Sequence, residues 1–425
     1  MQHKTDLNLR EALPIYKYTL RNGLKIALVR KKKSPIISSN LTYRIGSKDE
    51  TREIAGFAHL FEHLMFEGSK LVPKGEFDRI CSMAGGTNNA YTTYDWTSYT
   101  MTMPANQLEL ALWLERDRMF NLDINEEALE NQKNVVIEEM KQVMENQPYG
   151  RWRERIAELA YAEGSGYSWD VIGHKESIRG ADLDLVRSFH DNYYYPGAAC
   201  LTLVGDLDPE RDMKLIEKYF ESEPRTIRAP RANFTTEMAR KGTRDSMKDT
   251  VPLDAVFVAF HADGFMSEET FVGDIISYIA SSGRSSELYR KLVHEQKIAS
   301  QVGAFLDKRE GDSLLTFYAF ASDQNGNCDQ LYDRLMEAVL SLRDRTDEKI
   351  LEKTGNQLAF QIANELIYSS GIADLACNYA VFYDEPTKIY ELQSKYSDVD
   401  LSDIKAYFDK NLRPGDAVRL DVVKD

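Results

Sequence analysis

The sequence predicts an α+β chain of two homologous domains, each a mostly antiparallel sheet packed against helices. Three observations predict it. Residues 15–45 alternate apolar and polar in short runs, the period of half-buried strands. Helical patterns follow, and the order strand–strand–helix–strand–helix–helix returns after an offset of about 210 residues. Between the copies, residues 221–250 carry Pro224, Pro230, many charges and few large apolar side chains, as a linker would. The domains are therefore placed at 1–220 and 251–425, with 221–250 joining them.

Each element has its own signal. Ile15 to Leu20 and Leu24 to Val29 flank Asn22-Gly23, a dipeptide suited to a tight hairpin turn. A third strand runs from Ile36 to Tyr43. A buried helix follows at Gly56–Gly68, then a strand over Tyr91–Met103 and a helix over Leu108–Phe120. Glu126 and Glu127 suit the first turn of a long helix, and Pro148 bars its continuation. Leu201–Gly205 reads as a short buried strand. In the second copy, Ala255–Phe260 is a strand, Ser267–Ile279 a helix, Leu314–Ala321 a strand and Leu331–Leu342 a helix.

Composition bounds the function. The chain has 425 residues, 43% of them hydrophobic and 28% charged, with a net charge of −15. That is ordinary for a soluble globular protein with a large core. The acidic balance disfavours nucleic acid, whose phosphates it repels. It would favour basic or neutral peptides if the charge lines a substrate cavity. Arg30-Lys31-Lys32-Lys33 is read as a solvated hairpin edge, where lysine discourages strand pairing. Cys81, Cys200, Cys328 and Cys377 match no zinc spacing. No apolar stretch is long enough for a membrane span. The start, Met1-Gln2-His3-Lys4-Thr5-Asp6, carries no signal peptide. The expected compartment is therefore the cytoplasm, or the periplasm if a leader was trimmed.

Residues 59–63 read His-Leu-Phe-Glu-His. On a helix, His59 and His63 project from one face, one turn apart. Two imidazoles so placed can hold one metal ion, and imidazole suits zinc. Glu62 reaches the rim of the same site, where it can take a proton from water. The order H-x-x-E-H is the inverted zinc-peptidase motif. By composition it turns up in roughly one chain in a hundred of this length, and a lone helical His is usually a satisfied core residue. The surroundings decide. From Gly56 to Phe66 every other position is apolar or small, so the helix is buried. Polar groups inside it need compensation worth several kcal/mol, which a metal supplies.

Catalytic zinc takes a third protein ligand. In the helix starting at Glu126, an apolar stripe through Val135, Val136, Met140 and Val143 puts Glu139 on the buried side and Glu138 toward solvent. A carboxylate on such a stripe is either paired or metal-bound.

These residues give the chain a resemblance to the pitrilysin, insulinase and mitochondrial-processing-peptidase family of zinc peptidases. That family has H-x-x-E-H and a Glu some 76 residues later; here 139 − 63 = 76. The stretch Gly85-Gly86-Thr87-Asn88-Asn89-Ala90-Tyr91-Thr92-Thr93-Tyr94-Asp95-Trp96-Thr97-Ser98-Tyr99 is similar to the family's G-G-x-x-N-A-x-T-x-x-D-x-T-x-Y strand. Asn22-Gly23, Val204-Gly205-Asp206 and Ser281-Ser282-Gly283-Arg284-Ser285-Ser286 have counterparts too. The resemblance implies one Zn²⁺ per chain held by His59, His63 and Glu139, with Glu62 as general base. It implies that peptide substrate adds to the edge strand at Asn89 and Ala90. Unfolded peptides can add to an edge and folded proteins cannot, so peptides or unstructured segments are the expected substrates.

Two positions depart from the family. Many relatives carry a second Glu seven residues before the third ligand, where this chain has Gln132. Active single-chain relatives and some partner subunits carry an Arg and, seven residues on, a Tyr that hold substrate and the oxyanion. Aligning Leu288-Tyr289-Arg290-Lys291-Leu292 with the family's L-F-x-E-L leaves Val293 and Ser300 in those places, and neither can do that work. The expectation is a heterodimer: a related subunit without H-x-x-E-H supplies the pair, and this chain forms the zinc-bearing half of a clamshell. The alternatives are a structural subunit of the same fold, or a peptide-binding module without chemistry.

Overall fold

The computed structural model of the chain describes residues 9–222, 239–322 and 327–425. Its residues group into two compact units. The first draws on Met1–Glu138, Val171–Ala232 and Ile362–Leu392, the second on Glu139–Asp170, Asn233–Gln361 and Gln393–Asp425. Each is an α+β unit built on one sheet.

The first sheet has strands β1 (Ile15–Thr19), β2 (Lys25–Arg30), β3 (Ile36–Tyr43), β4 (Thr87–Thr92), β5 (Thr97–Pro104) and β6 (Ala199–Gly205). Their spatial order is β1-β2-β6-β3-β5-β4. Only the β2–β6 pair is parallel. The β1–β2 turn is the expected one: Gly23 takes φ +89° and its N–H bonds to the Leu20 carbonyl at 2.9 Å. β6 is buried along its whole length, which explains its unbroken run of apolar and small residues.

Alternation along β3 and β5 decides what each face carries. Leu41 pairs with Tyr99 and Ile37 with Met103, giving one apolar face. Ser38 pairs with Thr102, Asn40 with Thr100 and Thr42 with Ser98, giving a polar one. The helix Phe57–Leu64 lies on the apolar face, where Tyr99 Oη reaches the Phe61 carbonyl. The helix Ser369–Tyr383, from the far end of the chain, lies on the polar face. There Asn40 Nδ2 donates to Asp374 Oδ1 at 2.9 Å, and the Cys377 thiol meets the Cys200 carbonyl.

The sequence predicts one strand over Tyr91–Met103; two form, β4 and β5, joined by the turn Thr93–Trp96. That turn has neither Gly nor Pro. Thr93 Oγ1 makes it by accepting from the N–H groups of Asp95 and Trp96, both at 3.1 Å. β4 is thereby turned out to the edge of the sheet.

The second sheet has β7 (Arg244–Asp249), β8 (Ala255–Asp263), β9 (Ala299–Asp307), β10 (Asp312–Ala321) and β11 (Val418–Lys424), in the order β7-β11-β8-β10-β9. It too receives a helix from the other half of the sequence, Trp152–Ala160. Trp152 stacks on Phe257 with ring centroids 4.5 Å apart. β7 lies inside the stretch read as linker. Its charges fit because, among the described residues, it is an edge strand paired only with β11. Residues 223–238, with Pro224 and Pro230, lie outside the described residues, as does the polar start Met1–Asp6. Among the described residues no helix is long and apolar enough to cross a membrane.

Candidate metal centre and peptide edge

The helix Phe57–Leu64 buries Phe57, Ala58, Leu60, Phe61 and Leu64. Phe61 stacks on Phe189 and Tyr194, at 5.3 and 5.0 Å. Burying such side chains contributes about 2 kcal/mol each. Its polar residues therefore share the remaining side: Glu62 and His63 are half-buried, and the rings of His59 and His63 lie 4.9 Å apart.

A residue that sequence reasoning missed holds the start of this helix. Glu50 Oε2 accepts from the Gly56 N–H at 2.8 Å and Oε1 from the Ala58 N–H at 2.7 Å. A buried carboxylate there satisfies two orphan donors and meets the positive end of the helix dipole. It comes from outside the local capping positions, so no capping signal marks it. Gly56 has φ +99°, and the Ile172 carbonyl oxygen would stand 2.7 Å from any added Cβ. Only glycine fits.

The helix Glu126–Met140 brings the acidic residue. Its inward residues are Leu129, Val136, Ile137 and Met140. Val135 and Val143, expected on the buried stripe, are exposed at 46% and 51%. Val135 is one position off the inward row, and Val143 falls in the π-helical turn Lys141–Glu145, where the helical register changes. Glu139 is half-buried and Glu138 exposed. His59, His63 and Glu139 each offer a ligand atom, and these atoms lie within 4.8 Å of one another. Donors on one tetrahedral zinc stand about 3.4 Å apart, so modest side-chain adjustment closes the set. Two imidazole nitrogens and a carboxylate oxygen are a donor set that fits zinc.

Glu62 is oriented from the sheet: Thr92 Oγ1 donates to Glu62 Oε2 at 2.7 Å. The register places Asn88, Ala90 and Thr92 with Met101, Tyr99 and Thr97, on the side of the motif helix. Asn89 and Tyr91 pair with Thr100 and Ser98 and point to the other face. A cleft of about 450 Å³ runs beside Glu62, His63, Glu67, Asn88, Asn89, Ala90 and Gln132. Gln132 Nε2 donates to Glu67 Oε1 at 2.6 Å, and Lys74 Nζ lies 2.6 Å from Glu67 Oε2. An amide at 132 can donate to Glu67; a second carboxylate there would repel it.

Behind the cleft, Arg118 is buried with Glu115 in an ion pair. Its guanidinium lies over the rings of Tyr99, Phe77 and Phe66 at 4.3, 4.8 and 5.1 Å. An Arg and a Glu three apart on a helix look like a surface pair, so the sequence offered no sign of this burial. Val293 and Ser300 belong to the second unit. Val293 is half-buried in the π-helical turn Tyr289–Glu295. Ser300 is exposed on β9, its Oγ bonded to the Phe320 carbonyl.

Comparison with known proteins agrees with this architecture. The family profile described as insulinase (peptidase family M16) matches residues 25–166, and the M16 inactive-domain profile matches 181–358. Zinc protease PqqE of Helicobacter pylori is 29% identical over 399 residues, 91% of this chain and 87% of that protein. The mitochondrial-processing peptidase subunit beta of Neurospora crassa is 22% identical over 367 residues, covering 84% and 76% of the two chains. The crystal structure of a protease from Helicobacter pylori superposes with a TM-score of 0.90 at 24% identity, covering 97% of this chain and all of that one. The fold is that of the zinc-peptidase class with the inverted motif. The chain belongs to the M16 family, which includes pitrilysin, insulinase and the mitochondrial processing peptidases.

Proposed function

We propose that this chain is a zinc metalloendopeptidase that cleaves peptides or unstructured segments. His59, His63 and Glu139 would hold one Zn²⁺, and Glu62 would be the general base. The observation that carries the reading is the convergence of those three donor atoms within 4.8 Å, beside a carboxylate already oriented by Thr92. The ion, when bound, would make a water more acidic and polarise the scissile carbonyl.

The protein's own groups do the rest. The Glu62 carboxylate, held in place through Oε2 by Thr92, takes the proton from the attacking water. The same carboxyl then returns it to the leaving amine. Among the described residues β4 pairs only with β5, so its outer side can take a peptide as an added strand, with main-chain bonds independent of side-chain identity. Ala90 sits on the motif-helix side of that strand and lines the same cleft as Glu62.

Val293 and Ser300 offer no cation and no long donor for an oxyanion. We therefore read the chain as the zinc-bearing subunit of a heterodimer, whose related partner supplies an Arg and a Tyr. A missing oxyanion donor lowers the rate by roughly 100-fold or more.

The test is Glu62→Gln. It should keep the zinc equivalent by elemental analysis and lose cleavage of a fluorogenic unstructured peptide by about 100-fold or more. His63→Ala should lose the metal as well. Undiminished cleavage by Glu62→Gln overturns the assignment. For the partnership, full turnover by the pure chain, unchanged by a candidate partner, overturns the heterodimer.

A further inference from the structure

We propose that Asp374, on the helix Ser369–Tyr383, is a positioning residue that holds the peptide-binding edge in place through Tyr91. This rests on β4 being the strand to which peptide adds.

Tyr91 is a β4 residue, and its hydroxyl donates to Asp374 Oδ1. The same oxygen accepts from Asn40 Nδ2 at 2.9 Å, on the central strand β3. Asp374 therefore joins the edge of the sheet to its middle, across the polar face. Trp96 Nε1 adds a long contact to the Tyr91 hydroxyl at 3.5 Å. The next residue, Thr92, is tied from the opposite face, to Glu62. Adjacent residues of one edge strand are thus pinned to two different helices.

An edge strand has a ladder on one side only, so its outer end frays unless side chains hold it. Thr87 and Asn89 are exposed, whereas Tyr91 and Thr92 are the anchored end. Loss of the Asp374 acceptor leaves Tyr91 without its main partner. β4 then loosens, and with it both the ladder offered to a peptide and the Thr92 hydroxyl that orients Glu62. The polar face makes this device necessary: Thr42, Ser98 and Asn40 bond to one another across it, so specific hydrogen bonds rather than apolar contact locate the helix above β3.

The experiment uses the full chain in a Glu62→Gln background, so that binding is read without cleavage. The probe is a fluorescein-labelled, proline-free unstructured peptide, followed by anisotropy. Tyr91→Phe and Asp374→Ala should each weaken binding about fivefold, the range for one hydrogen bond. The double variant should be no weaker than the worse single one, because both remove the same contact. Asp374→Asn keeps the Oδ1 acceptor and should restore binding. Zinc content and far-ultraviolet circular dichroism should stay at the parent level throughout. Binding by both single variants equal to the parent overturns the proposal, and so does a double variant that loses the product of the two effects. Failure of the Glu62→Gln parent to bind the probe overturns the edge-strand reading itself, and is seen before Tyr91 or Asp374 is touched.

Discussion

Thr92 and Glu62 meet across the edge of the first sheet, with Thr92 Oγ1 donating to Glu62 Oε2 at 2.7 Å. That bond joins the strand proposed to take a peptide to the carboxylate proposed as general base. Thr92→Val preserves shape and removes the donor. Cleavage of a fluorogenic peptide should fall about tenfold in kcat with zinc content unchanged, and Thr92→Ser should recover most of it. An unaltered kcat in the valine variant would show that Glu62 is oriented by something else.

Glu50 supports the motif helix from six residues before its N-cap, Gly56. Glu50→Ala strands the buried N–H groups of Gly56 and Ala58. The expected loss is about 2 kcal/mol or more, read as a lower urea midpoint for the metal-free chain. Zinc affinity should drop alongside, since His59 begins only three residues after Gly56. A midpoint equal to the parent's would place the cap's contribution elsewhere.

Metal removal should loosen the joint between the helices Phe57–Leu64 and Glu126–Met140. A ligand that binds only the folded state adds about 4 kcal/mol at a free concentration a thousand times its Kd. A chelator should therefore lower the urea midpoint, and added zinc should restore it. In His63→Ala the chelator should have no effect.

Asp374 predicts a pH dependence of stability. Burial, helped by the nearby Glu365 carboxylate, pushes its carboxyl above the ordinary value of 3.8, outweighing the bonds from Tyr91 and Asn40. The folded chain thus holds this proton more tightly than the unfolded one. The resulting stability is complete below the ordinary value and is lost as pH rises through the folded one. Asp374→Asn has no such proton. Its urea midpoint should gain on the parent's as pH rises from about 4 toward neutrality, and a gap constant over that range would contradict the shift.

The buried pair Glu115–Arg118 gives a packing prediction. Arg118→Ala leaves Glu115 buried and unpaired and opens space among Tyr99, Phe77 and Phe66. Loss of one partner of a buried pair costs about 3–5 kcal/mol. Replacing both with apolar residues of similar volume should recover much of it, measured by denaturant unfolding.

Much of the site could be read along the chain because its geometry is local. His59, Glu62 and His63 share one helical turn, so 3.6-residue periodicity alone puts them on one side. Glu139 was separable from Glu138 for the same reason. The β1–β2 hairpin was legible through Asn22-Gly23. The turn at Thr93–Trp96 was not, because a threonine hydroxyl makes it without Gly or Pro. β7 was read as linker because an edge strand of charged residues carries no apolar alternation. Val143 leaves the apolar stripe because the helix gives way to a π-helical turn after Met140, and Val135 because it sits one position off the inward row.

Local periodicity therefore settled which side chains stand together on the motif helix and in the first hairpin, and the family resemblance rested on those same short strings. Long-range packing decided the rest: that Ser369–Tyr383 covers the polar face of the first sheet, and that Thr92 and Tyr91 are held from opposite faces. A hydrogen bond between residues hundreds of positions apart leaves no periodic trace. It exists only once the backbone has closed on itself, and the closing depends on the sum of many weak contacts rather than on any one string of residues.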